Sequence, residues 1–82
     1  MKPAVARELA NAHTSEELAA AAEALSEEQT PPFAIGGADA GEQLTHVLLA
    51  MRIRARIDAG DDPKDAYRAV MGEVRSVLTN ES

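Results

Sequence analysis

Glu42 and His46 stand four positions apart in GEQLTHVLLAM, a spacing that on a helix puts a carboxylate and an imidazole on one face. Two such groups are half of a tetrahedral metal site. A symmetric second copy, or Glu73 from another element, would have to complete it. Without those ligands the pair reduces to an exposed contact between residues one turn apart, and neither a metal nor a cofactor is assigned.

The stretch HTSEE, residues 13 to 17, sets His13, Thr14 and Ser15 beside two carboxylates. Nucleophilic catalysis needs a base that reaches the hydroxyl and donors that hold the oxyanion, and neighbours at one helix start do not converge on a reacting atom. Helix capping accounts for the same letters more economically. GGADAG, residues 36 to 41, has the glycines of a phosphate loop but lacks the closing Lys, and Asp39 and Glu42 crowd the place of the anion. GDDPKD, residues 60 to 65, brings three carboxylates together, yet Pro63 opens a helix at once and leaves no room for a twelve-residue calcium loop. No catalytic constellation emerges, so the chain is expected not to be an enzyme.

The arginines of RIRARI, residues 52 to 57, offer a basic face. Arg52 and Arg56 share one side of a helix and Arg54 lies on another, so Arg52 and Arg56 are the candidate phosphate contacts. A symmetric pair of chains would double them and suit a nucleic acid. Against that stand the neighbouring Asp58, Asp61 and Asp62, the absence of interleaved aromatics and a formal net charge of −6. Ion pairs with acidic helices, or an acidic protein partner, explain the same residues.

These groups must be carried by helices. Pro3 suits a first helical turn, and Val5, Ala6, Leu9 and Ala12 make a weak apolar stripe. Thr14 with Glu17, or Ser15 with its acidic neighbours, signals a second start. The opening 28 residues therefore form either one distorted helix or two that divide near His13. Residues 29 to 41, QTPPFAIGGADAG, form a connector whose adjacent prolines and glycines exclude regular helix; its Phe33 and Ile35 are expected to pin it over the core. Asp39 followed by Glu42 resembles a capping box and opens a helix from Ala40 to Ala59, ended by Gly60. Asp62, Pro63 and Asp65 then open the last helix, which runs to Thr79 with apolar positions Ala66, Tyr67, Val70, Met71, Val74, Val77 and Leu78.

The expected fold is all-α: a small helical bundle over residues 1–82, built on an antiparallel helical hairpin at 42–79 with one or two N-terminal helices. Cys is absent and aromatics make up 2% of the chain, so aliphatic side chains and alanine must fill the core without disulfides. The long helix is apolar on two sides. Leu44, Val47, Leu48 and Met51 mark one, while Leu49, Ile53 and Ile57 mark the other and are the candidate protein interface of a homodimer. Tyr67, Met51 and Met71 are expected to be packing residues. No run is long enough to span a membrane and the start lacks an export-type apolar core, which leaves a cytoplasmic location as the expectation. The expected function is a non-enzymatic protein-interaction module, acting as an adaptor or regulatory subunit; the alternatives are a nucleic-acid-binding regulator using Arg52 and Arg56, and a metal-binding helical protein with a site shared between subunits.

Overall fold

The computed structural model describes residues 2–80, with side chains described for 2–75. It contains four helices, α1 (Pro3–Ala12), α2 (Ser15–Ser26), α3 (Ala40–Asp58) and α4 (Pro63–Asn80), and no strand among the described residues. The chain is an all-α four-helix bundle whose last two helices form the expected hairpin.

The N-terminal segment divides into two helices at His13 and Thr14 because the second start is fully equipped. Thr14 Oγ1 accepts from the Glu17 amide at 3.2 Å, and Glu17 Oε1 accepts from the Thr14 amide at 2.8 Å. This reciprocal box satisfies two donors that a helix start would otherwise leave open. Asp39 caps α3 by accepting from the Glu42 amide at 2.9 Å, but Glu42 does not return to Asp39. Its carboxylate takes the Ala38 amide at 2.8 Å instead. Asp62 accepts from the Lys64 amide at 3.0 Å and so opens α4.

Helix α3 ends in a Schellman turn: the Asp61 amide reaches the Arg56 carbonyl and the Gly60 amide reaches that of Ile57, both at 3.0 Å. Gly60 holds a φ of +115° there, a conformation that glycine adopts without a Cβ penalty. Helix α2 ends in the same way, through Gln29 to Ala24 and Glu28 to Leu25. In that turn the left-handed position belongs to Glu28, at φ +58°.

The core is one cluster fed by all four helices: Ala6, Leu9 and Ala10; Leu18, Ala21 and Leu25; Val47, Leu49, Ala50 and Ile53; Ala66 and Val70. Helix α3 is its axis, packed against α1, α2 and α4, whereas α2 and α4 do not touch among the described residues. That arrangement explains why α3 is apolar on two sides. Leu49 and Ile53 are 8% and 1% exposed and Ile57 is half-buried against the same cluster. Of the three residues expected at an interface, Leu49 and Ile53 are covered by the chain's own helices. Leu48, by contrast, stands 49% exposed. In the connector, Phe33 and Ile35 pack against the core, and the Phe33 ring stacks on His13 with centroids 3.7 Å apart.

Candidate functional site

His46 is wholly buried, so Glu42 and His46 are not the exposed pair expected from the sequence. The carbonyl of Gly36 lies 2.7 Å from His46 Nδ1, and His46 Nε2 accepts from the Lys2 amide at 2.9 Å. This pattern assigns a neutral ring protonated at Nδ1. Both nitrogens are engaged by backbone groups, which leaves no lone pair for a metal. Glu42 is engaged as well, and the Ala38 amide holds its carboxyl below the usual range. Among the described residues no group of three metal-ligating side chains converges.

The three arginines of α3 each find an acid. Arg56 meets Glu73 at 2.7 Å and Asp61 at 3.5 Å, and Arg52 meets the other Glu73 oxygen at 3.7 Å. Arg54 pairs with Asp58 at 3.0 Å and also donates to the Ala10 carbonyl at 3.2 Å, near the end of α1. The Arg56 hydrogen bond holds the Glu73 carboxyl below its ordinary range and raises the guanidinium in turn. Arg52 and Arg56 thus tie α3 to α4, and Arg54 ties α3 to α1. They are not presented as a free basic face.

A different surface is open. Pro3 at the start of α1 and Tyr67, Met71, Gly72 and Val74 of α4 line an open groove of about 540 Å³ together with Arg68 and Arg75. Arg7 of α1 reaches over the ring of Tyr67, a lining residue of the groove, 5.4 Å from its centroid. On α4, Ala66 and Val70 are buried while Tyr67, Met71 and Val74 are half-buried. The apolar stripe of this helix is wider than its contact with α3 requires. The residues expected to be only packing fillers, Tyr67 and Met71, are therefore also surface-forming. Their spacing, continued by Val74 and flanked two turns apart by Arg68 and Arg75, was the legible signal.

No helix among the described residues is long and apolar enough to cross a membrane. Compared with known proteins, residues 1–79 match a family model described as a family of unknown function (DUF6952). No curated protein and no solved structure matches the chain.

Proposed function

The chain belongs to the DUF6952 family, and we propose that it is a non-enzymatic protein-binding module, an adaptor or regulatory subunit that works by assembly in the cytoplasm. The groove lined by Pro3, Tyr67, Met71 and Val74 with Arg68 and Arg75, and Arg7 over its Tyr67 ring, carries this proposal. Apolar lining with arginines is the makeup of protein contact surfaces, where aromatic, Met and Arg side chains are enriched. A flexible Met at the centre adapts to a partner's shape. The pairing of Arg52, Arg54 and Arg56 within the chain weighs against nucleic acid as the partner, because phosphate contacts would first have to displace carboxylates.

The test places a photo-crosslinking amino acid at Met71 and, as a control, at exposed Thr45 of α3. The proposal expects a discrete protein adduct from position 71 that disappears when Arg68→Glu is added, and none from position 45. An adduct pattern identical at both positions, or no adduct from Met71, overturns it.

A further inference from the structure

Resting on that protein-binding proposal, we propose that the occupant of the α4 groove is helix α2 of a second copy of this chain, each copy lending its α2 to the other in a closed pair. Charge is segregated along the sequence: no Lys or Arg occurs between Arg7 and Arg52. Every charged side chain on α2 is therefore an acid. Glu16, Glu23 and Glu27 are exposed and make no ion pair among the described residues, and the helix surface between Glu16 and Glu23 is the small, exposed pair Ala19 and Ala20.

The two faces match in spacing as well as in sign. Glu16 and Glu23 are two turns apart on α2, and Arg68 and Arg75 are two turns apart on α4, each pair separated by about 10.5 Å along its axis. Between the arginines stand Met71 and Val74; between the glutamates stand the alanines. Small residues let a partner helix approach closely, and the long Met side chain fills the space they leave. Charges at the edges then fix register.

Symmetry is available because α2 and α4 pack on α3 without touching one another. The groove and the acidic face are separate surfaces of one molecule; in the proposed pair a two-fold axis relates the two copies, so that both contacts form at once and the assembly closes. The chain also has a reason to pair. A single core of this size, poor in aromatics and free of disulfides, leaves a narrow stability margin that assembly widens.

Light scattering during size-exclusion chromatography, at about 50 and 500 mM salt, tests the pairing on the full chain. The expected result is twice the chain mass, with dissociation strengthened at the higher salt because the facing charges are screened. Arg68→Glu and Glu23→Arg, both at exposed positions, should each weaken the pair at least about tenfold while helicity by circular dichroism stays unchanged. Mixing the two variants should restore the dimer, since one contact is then native and the other reversed in sign on both sides. A single-chain mass at every concentration, a dimer indifferent to both substitutions, or a mass that grows past two copies overturns the proposal. If the chain is single yet the Met71 adduct with another protein persists, self-pairing falls and the protein-binding function stands. If neither is seen, both fall.

Discussion

The imidazole of His46 joins the amide of Lys2, 44 positions away, to the carbonyl of Gly36. One buried ring on α3 thus ties down the start of α1 and the connector. His46→Leu keeps apolar volume but removes both bonds, leaving a carbonyl without its partner, and should cost about 1–3 kcal/mol. Urea unfolding checks this; a variant as stable as the parent would mean that water replaces the ring.

Glu28 occupies a left-handed position at the end of α2 with φ +58°, where a Cβ is disfavoured. Glu28→Gly should raise stability by about 0.5–1 kcal/mol, the relief of strain exceeding the extra freedom of the unfolded chain. Thermal unfolding followed by circular dichroism measures the shift, and a lowered midpoint would contradict the assigned turn.

Ile53 is 1% exposed within the single chain. Truncating it in Ile53→Ala removes buried methyl groups and opens a cavity, at an expected cost of about 2–5 kcal/mol. A core residue shows this loss in full whatever the protein concentration. A loss that fades as the chain is diluted would return Ile53 to an interface between copies.

Three carboxyls are held below the ordinary glutamate value of 4.5: Glu17 chiefly by the Thr14 backbone bond, Glu42 by that of Ala38, and Glu73 by the Arg56 hydrogen bond. The folded chain therefore binds fewer protons than the unfolded chain just below pH 4.5. Stability from these groups is present above that value and is lost as the pH falls through their lowered folded pKa values. Urea midpoints measured from pH 6 to pH 3 should decline over the acidic end of that range, and a combined Glu17→Gln, Glu42→Gln, Glu73→Gln variant should decline less. Equal slopes would remove these three groups from the explanation.

A labelled DNA duplex titrated at two salt concentrations should reveal no salt-sensitive binding, because Arg52, Arg54 and Arg56 already face Glu73, Asp58 and Asp61. Tight binding that weakens steeply with salt would show that those pairs open on contact and would reinstate the α3 arginines as a site.

The sequence by itself determined where α3 and α4 start and where α3 stops, and it offered a break near His13. Thr14 with Glu17, Asp39 before α3, Asp62 with Pro63, and Gly60 after α3 act on backbone groups within one turn, so their partners are close in the chain and legible from it. The sequence also revealed that α3 is apolar on two sides. Only the tertiary structure decided what covers those sides. Burial of Leu49 and Ile53, the enclosure of His46 and the capture of Arg56 by Glu73 depend on elements brought in from far along the chain. Tyr67, Met71 and Val74 carry the same periodic signal as the buried stripe beside them, because periodicity records an apolar face but not its occupant. Packing against α3 covers Ala66 and Val70 and leaves the other edge of α4 as a groove.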